Sequence, residues 1–168
     1  MTEAAAAVGG DLLLAVYGDD FTGSTDALAV MAFHGVEAVL FVAPPTPEQL
    51  ARFQGARAVG IAGTARSRSP EWMDANLPAV FDWLFSLRAP VTQYKVCSTF
   101  DSSPEVGSIG RAIDLALPRS PSRWSPTVVA APALHRYQAF GNLFAGASMG
   151  GRTRIERLDR HPTMSRHP

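Results

Sequence analysis

Short apolar runs alternate with amphipathic stretches along most of the chain. Residues 12–17 form a continuous apolar run that ends at Gly18, which is typical of a strand buried on both faces. Residues 25–34 carry apolar side chains at helical spacing and stop at Gly35, which predicts a helix. The same alternation predicts further strands at 38–42, 58–62, 91–97 and 127–131, and helices at 47–53, 70–87 and 105–117.

This order of elements predicts an open, mostly parallel sheet with helices on both faces. Parallel neighbours need crossover connections, and the predicted helices supply them. Pro78 is expected to kink or interrupt the helix at 70–87. Residues 118–126 read as a loop rich in Pro and Ser, and residues 140–147 and 152–158 as a C-terminal hairpin. At 168 residues the chain has room for one α/β domain.

Composition limits the class of protein. With 46% hydrophobic and 18% charged residues, the amino-acid composition is typical of a globular protein. No apolar run approaches the roughly 18 residues of a membrane span. The N-terminus lacks a basic stretch and does not resemble a secretory signal. The single cysteine, Cys97, excludes an internal disulfide and a cysteine-based zinc site. We therefore expect a cytoplasmic protein with no membrane contact.

The formal net charge is zero, but the two ends of the chain differ. Residues 1–118 hold thirteen acidic against seven basic side chains, whereas residues 119–168 hold eight arginines against Glu156 and Asp159. Such a basic end could contact an anionic ligand, nucleic acid or an acidic face of the same domain. Because a stacking platform and a recognised nucleic-acid motif are both missing from the sequence, we expect no nucleic-acid partner.

Polar side chains follow the first predicted strand. Asp19 and Asp20 come directly after Gly18, and Thr22, Gly23 and Ser24 lead into the next helix. Carboxylates can accept hydrogen bonds from sugar hydroxyls, bind Mg²⁺ or remove a hydroxyl proton, and a helix N-terminus can seat a carboxylate or phosphate. The alternative is that one aspartate only caps the helix while the other is solvated.

Two later strand ends are also polar. Arg66 follows the third predicted strand, and its guanidinium suits a carboxylate or phosphate. The fourth strand end presents a group of side chains suited to a polyol: Lys95, Ser98, Thr99, Asp101 and Ser102. Lys95 lies on an otherwise apolar strand, so we expect it to face the crevice at the strand ends or to pair with Asp19 or Asp20. A purely structural Lys–Asp pair is the alternative.

Other candidate sites are weak. Residues 141–148 copy the spacing of a nucleotide P-loop, but Ala147 stands where the phosphate-binding lysine belongs. His161 and His167 lie in a proline-broken stretch without a carboxylate at ligand spacing, which is a poor metal site. Cys97 is expected to be a core residue and not a nucleophile.

Three motifs in order resemble the four-carbon acid sugar kinase family: Gly18 to Ser24, Tyr94 to Ser103 and Asp159 to Pro168. The resemblance covers nearly the whole chain and the N-terminal sugar-binding domain of those enzymes. It implies ATP-dependent phosphorylation of a terminal hydroxyl on erythronate, threonate or their 3-oxo forms. In the family, a second, C-terminal domain binds ATP and Mg²⁺.

The resemblance implies roles for particular residues. Asp19, Asp20, Thr22, Gly23 and Ser24 match the first substrate loop, and Lys95, Ser98, Thr99 and Asp101 match the second. Residues 100–102 read Phe-Asp-Ser where many relatives have Arg-Gly-Asn, which resembles a 3-oxo-tetronate kinase branch. Either aspartate could orient or deprotonate the reacting hydroxyl, while Lys95 and the helix N–H groups would hold the carboxylate.

Length is the main departure from the family. The chain ends inside the motif that normally leads into the ATP domain, so we expect the substrate-binding half of a kinase that binds neither ATP nor Mg²⁺ strongly. The ATP domain would then be a separate chain or part of a longer protein. The alternative is a non-catalytic sugar-acid-binding module from a truncated or split gene. A homo-oligomer is compatible with the sequence, which leaves the stereochemistry of the sugar acid open.

Overall fold

The computed structural model describes residues 11–149 and 152–157. The principal elements in chain order are β1 (Leu14–Gly18), α1 (Phe21–Phe33), β2 (Ala38–Phe41), α2 (Pro47–Leu50), β3 (Ala58–Ala62), α3 (Pro70–Ser86), β4 (Val91–Lys95), α4 (Ile109–Ala116), β5 (Arg136–Ala139), β6 (Asn142–Met149) and β7 (Arg152–Arg157). Within these ranges, no helix is long and apolar enough to cross a membrane.

The first four strands form one parallel sheet. Their order is β2-β3-β1-β4, which places β1 between β3 and β4. Gly18 at the end of β1 is level with Ala62 of β3 and with Lys95 of β4. The carboxyl ends of three strands therefore meet at one edge, and the predicted parallel sheet is confirmed.

Helices cover both faces of this sheet. On one face Leu28 of α1 packs with Val16 and Ala58, which have no or almost no exposed surface. On the other face Leu77 of α3 packs in a larger cluster that includes Tyr17. Side chains of successive strand residues point to opposite faces, so a strand covered on both sides is apolar throughout. This explains the continuous apolar run at β1.

The helix boundaries follow from local capping. Ser108 accepts a hydrogen bond from the Arg111 N–H at 3.1 Å and caps α4, while Gly107 before it has a φ of 62°. A residue with positive φ cannot lie inside a right-handed helix, so the expected start near residue 105 was wrong and α4 begins at Ile109. Of the two effects expected at Pro78, a kink or an interruption, the interruption was wrong, because α3 runs through that residue.

The last part of the chain differs most from expectation. The strand predicted at 127–131 is wrong: the N–H of Val129 donates to Gln138 Oε1 at 3.1 Å and Ala131 bridges Arg136, so this segment turns toward β5. The C-terminal hairpin is confirmed as β6 and β7, which pair antiparallel. The short strand β5, missed in the sequence, pairs with the other side of β6.

Candidate functional site

Main-chain hydrogen bonds join the three strand ends at the carboxyl edge of the sheet. The N–H of Asp19 donates to the Lys95 carbonyl at 3.0 Å, and the N–H of Arg66 donates to the Asp19 carbonyl at 3.1 Å. The N–H of Gly63 donates to the Gly18 carbonyl at 2.8 Å. Asp19 is thus held by its backbone from both neighbouring loops, and side chains from all three loops converge there.

The Asp19 carboxyl group is buried among these loops. The residue is only 2% exposed, and its Oδ1 atom has no hydrogen-bond partner among the described residues. Burial, with repulsion from Asp20 as a smaller cause, raises the pKa of Asp19 to about 7, while Arg66 and Lys95 act in the opposite direction. A carboxyl group with this pKa exchanges a proton readily near neutral pH.

Asp20 has a different environment from its neighbour. Its Oδ1 accepts the Gly23 N–H at 2.5 Å and caps α1, and its Oδ2 accepts from Arg66 Nη1 at 2.9 Å. The Asp20 carbonyl accepts the hydroxyl of Ser24, a residue with no exposed surface, at 2.5 Å. Asp20 therefore serves as a helix cap and ion-pair partner, which separates the roles of two aspartates that the sequence could not distinguish.

Arg66 links two of the loops. Besides its contact with Asp20, its Nε and Nη2 atoms donate to Asp101 Oδ2, and Nη2 lies 3.4 Å from Thr99 Oγ1. Thr99 in turn donates to the same Asp101 oxygen at 2.8 Å. A planar guanidinium can bind two carboxylates at once because its five N–H groups point in a fixed fork. A substrate that contacts Arg66, as predicted from the sequence, would have to share the N–H groups that already bind Asp20 and Asp101.

The side chain of Lys95, the last residue of β4, lies beside the N-terminus of α1. Its ammonium group donates to the Val96 carbonyl at 2.6 Å. A Cβ atom added to Gly23 would lie 2.8 Å from Asp20 Oδ1 and 3.2 Å from Lys95 Nζ, so glycine at this position leaves the cation room beside the first helical turn. The structure therefore brings Asp19, Asp20 and Lys95 to one edge of the sheet.

The remaining predicted site residues differ in their exposure and in their contacts. Thr22 is exposed in the first turn of α1, and Ser98 is half-buried after β4. The hydroxyl of Ser102 accepts the Ile109 N–H at 3.0 Å and so supports the start of α4. Cys97 is half-buried and not fully in the core, and its sulfur lies 3.2 Å from Thr99 Oγ1.

Gly107 makes a contact with the Arg66 loop that the sequence does not predict. A Cβ at this position would overlap the carbonyl oxygen of Arg66, and the N–H of Gly107 donates to the Arg68 carbonyl at 2.9 Å. This glycine thus holds the loop that carries Arg66 against the start of α4. A Gly-Ser pair before a helix is the only signal in the sequence, and it does not specify such a contact.

The remaining candidates from the sequence concern metal and nucleotide binding. The described residues contain no group of three or more His, Cys, Asp and Glu side chains placed to hold a metal ion. The segment 141–148, which copies P-loop spacing, lies mostly in β6 and not between a strand and a helix. His161 and His167 lie outside the described residues. The edge of the sheet that carries Asp19 and Lys95 offers a carboxyl group and an ammonium group, which can hydrogen-bond hydroxyl and anionic groups.

Relatives of this chain are sugar-acid kinases. It is 62% identical over 157 residues to "3-oxo-isoapionate kinase" of Paraburkholderia graminis, a match that covers 94% of the chain and 33% of that protein. It is 31% identical over 132 residues to "3-oxo-tetronate kinase" of Pseudomonas savastanoi pv. phaseolicola, covering 79% of the chain and 30% of that protein. The chain therefore spans about a third of the length of these relatives.

A solved structure shares the fold. A crystal structure from Salmonella typhimurium LT2, described as a candidate tRNA synthase, matches with a TM-score of 0.74 and 28% identity over 92% of this chain and 35% of that one. Residues 14–168 match the family described as the sugar-binding N-terminal domain. The chain belongs to this sugar-binding N-terminal domain family, which confirms its resemblance to the four-carbon acid sugar kinases.

Proposed function

We propose that this chain is the substrate-binding part of an ATP-dependent kinase that phosphorylates a small 3-oxo sugar acid. The names of both relatives specify a sugar acid with an oxo group at carbon 3, and this class includes the 3-oxo-tetronates expected from the sequence. The observation that carries the proposal is the buried Asp19 carboxyl group, whose Oδ1 lacks a hydrogen-bond partner among the described residues, in the loop joined to Lys95.

The carboxylate of the sugar acid would bind between Lys95 and the N-terminus of α1. The first N–H groups of a helix have no intrahelical acceptor and carry the positive end of the helix dipole. The Asp20 carboxylate accepts the Gly23 N–H, so the N–H groups of Phe21 and Thr22 in the first turn would bind the anion. Lys95 adds a full positive charge on the same side. Together these groups favour an acid over a neutral polyol.

Asp19 would accept the proton of the reacting hydroxyl. Its raised pKa, about 7, lies near the pH at which a general base is most effective. A hydroxyl that donates to Oδ1 would also supply the missing hydrogen bond to a buried polar atom. Asp20 is less suited to this role, because its two oxygens already accept from Gly23 and Arg66.

Phosphoryl transfer would need a nucleotide held opposite that hydroxyl. Such transfer depends on positioning and on neutralising charge, and on this proposal the chain supplies the substrate side. Because the relatives are about three times as long, the remainder of such a protein is the natural source of the ATP site. The chain alone would bind the acid and transfer nothing, and a non-catalytic binding module remains the second candidate.

Ligand-induced thermal stabilisation tests the proposal. Threonate, erythronate and 3-oxo-tetronate at saturating concentration should raise the melting temperature by roughly 5 °C, whereas erythritol, which lacks the carboxylate, should not. Lys95→Met should abolish the shift, and Arg88→Met, an exposed cation at the C-terminal end of α3, should leave it unchanged. Equal stabilisation by erythritol, or a full shift in the Lys95 variant, would contradict the proposed site.

A second measurement separates the two candidate functions. The 168-residue chain is incubated with ATP, Mg²⁺ and 3-oxo-tetronate, alone and with the C-terminal two thirds of the Paraburkholderia relative added as a separate chain. ADP release that depends on both chains and on Asp19 supports the kinase role. Binding without ADP release in either sample supports the non-catalytic module.

A further inference from the structure

The loop after β3 carries two arginines in different environments. All three nitrogens of the Arg66 guanidinium already donate to Asp20 or to Asp101. Arg68 is exposed, and within the described part of the chain it forms no ion pair with a carboxylate. Its Nε atom donates to Thr64 Oγ1 at 3.1 Å. The N–H groups on the two terminal nitrogens of Arg68 therefore remain for an anion.

The Arg68 side chain is held in place although it is exposed. Its guanidinium lies over the Trp72 ring, with the Cζ atom 5.1 Å from the ring centroid. Trp72 packs against the larger core cluster, so this ring is a fixed support. The stacking and the bond to Thr64 together fix the plane of the guanidinium. A side chain that is ordered before binding loses less conformational entropy when a ligand arrives.

The main chain of Arg68 is fixed as well. Its N–H donates to the Ala65 carbonyl at 3.1 Å, and its carbonyl accepts the Gly107 N–H at 2.9 Å. The side chain therefore extends from a defined point of the loop. Neither of these backbone contacts needs an arginine at position 68, so we expect the loop to keep its conformation when the side chain is replaced.

Arg68 and Lys95 lie on opposite sides of Asp19 along the edge of the sheet. Asp19 follows β1, which lies between β3 and β4. Lys95 ends β4, and the loop that carries Arg68 follows β3. Since neighbouring strands are about 4.8 Å apart, the two cations follow strands that are separated by about 10 Å, with the strand of Asp19 between them.

The Tyr17 hydroxyl connects Arg68 with Asp19. A Cβ atom added to Gly63 would overlap this hydroxyl, so the Tyr17 side chain reaches the base of the loop that carries Arg68. Burial raises the pKa of the Tyr17 phenol; of the two nearby charges, that of Asp19 raises this pKa further and that of Arg68 lowers it. Both charges therefore act on one hydroxyl group, which brings Arg68 to the same edge as Asp19.

We propose that Arg68 binds the phosphate group of the phosphorylated sugar acid. This inference rests on the proposed function, in which Lys95 holds the carboxylate and Asp19 accepts the proton of the reacting hydroxyl. An extended four-carbon acid carries its carboxylate and its terminal hydroxyl at opposite ends. A phosphate on that hydroxyl then lies on the far side of Asp19 from Lys95, where Arg68 is. A guanidinium suits this group because it can donate two parallel N–H groups to a phosphate.

Three ligands with different anionic groups test the assignment. Erythronate carries the carboxylate alone, erythritol 4-phosphate the phosphate alone, and erythronate 4-phosphate both. Titration calorimetry of the 168-residue chain measures the dissociation constant of each. Erythronate 4-phosphate should bind at least about tenfold more tightly than erythronate, because it adds charge-assisted hydrogen bonds. Arg68→Gln should remove this difference and leave the dissociation constant of erythronate unchanged.

Two further variants serve as controls. Arg57→Gln changes the net charge by the same amount as Arg68→Gln, but Arg57 is an exposed residue just before β3, at the opposite end of that strand. It should leave all three dissociation constants unchanged. Lys95→Met should weaken the binding of erythronate and leave erythritol 4-phosphate unaffected, because this ligand has no carboxylate.

The outcomes distinguish the Arg68 site from the proposed function. Equal affinity for erythronate and erythronate 4-phosphate, or a gain from the phosphate that survives Arg68→Gln, would overturn the Arg68 site. If erythronate binding still depends on Lys95, the proposed function stands in that case. Erythronate binding that is unaffected by Lys95→Met would instead contradict the proposed function. If Arg68→Gln weakens erythronate as much as its 4-phosphate, Arg68 binds the carboxylate and the assignment to phosphate is wrong.

Discussion

Arg66 Nη1 lies 2.9 Å from Asp20 Oδ2, and the same guanidinium binds Asp101. One side chain from the loop after β3 thus joins the loop after β1 to the loop after β4. The Arg66 side chain is 21% exposed and that of Asp101 only 5%, so much of this contact is shielded from water. The network positions the groups around Asp19.

Removing Arg66 should destabilise the fold. Arg66→Ala leaves the buried Asp101 carboxylate without its cation, which should lower the free energy of unfolding by about 2–4 kcal/mol. Arg66→Lys should lower it by less, because one ammonium can reach one carboxylate but cannot bridge two. Urea denaturation followed by circular dichroism measures both values.

Arg111 provides a matched control for Arg66. It pairs with Asp74, but the two side chains are 37% and 44% exposed. Exposed ion pairs contribute little, so Arg111→Ala should change the free energy of unfolding far less than Arg66→Ala does. If both alanine variants lose the same stability, the network around Arg66 has no special structural role.

Asp19 should make the stability of the protein depend on pH. Its pKa rises from 3.8 to about 7 on folding, so the folded state holds the proton more tightly than the unfolded state. The contribution of Asp19 to the free energy of unfolding is therefore greatest below pH 4. It falls as the pH rises toward 7, by up to roughly 4 kcal/mol. Thermal melts between pH 4 and pH 8 measure the change.

The variant Asp19→Asn should remove this dependence. It should be more stable than the original protein at pH 8, by about 1–3 kcal/mol, and similar to it at pH 4. Asp26→Asn is the control, because Asp26 is exposed on α1 and its replacement should have little effect at either pH. A uniform loss of stability in Asp19→Asn at all pH values would show that the carboxyl group is structural.

Two substitutions of Asp20 separate its roles. Asp20→Ala removes both the cap on the Gly23 N–H and the partner of Arg66, and should lower the free energy of unfolding by about 1–3 kcal/mol. Asp20→Asn keeps a good capping side chain and should lose less than half as much. Equal losses in the two variants would mean that the charge, and not the cap, stabilises this turn.

Gly107 should tolerate no side chain. Alanine there would adopt an unfavourable positive φ and would also overlap the Arg66 carbonyl, so Gly107→Ala should lower the free energy of unfolding by about 2–4 kcal/mol. Gly35 has a φ of 77° but nothing within 4 Å of an added Cβ, so Gly35→Ala reports the backbone strain alone, about 1 kcal/mol. Equal losses would show that the contact with Arg66 yields easily.

Part of the site was predictable from the sequence because it depends on strand order. Asp19 and Lys95 both lie at carboxyl ends of parallel strands, which meet at one edge in any fold of this class. The contacts of Arg66 were not predictable, since its partners are 35 and 46 residues away and the contacts depend on side-chain conformation. The burial that distinguishes Asp19 from Asp20 also depends on tertiary packing.

The end of the chain shows where local pattern fails. Residues 127–131 have the composition of a strand, yet their neighbours in the structure are Gln138 and Arg136. Strand propensity describes a side chain that fits a pleated surface, and it does not say which strand will be the partner. The four-residue strand β5 was missed because it is too short to show an alternating pattern.

The main chain of Asp19 is anchored through its N–H to Lys95 and through its carbonyl to Arg66. The direction of this side chain is thereby set without help from its own oxygens. Replacing it by glutamate would advance the carboxylate by one methylene group from the same main-chain anchor. Comparing aspartate with glutamate at position 19 would then report how deeply a ligand enters the crevice.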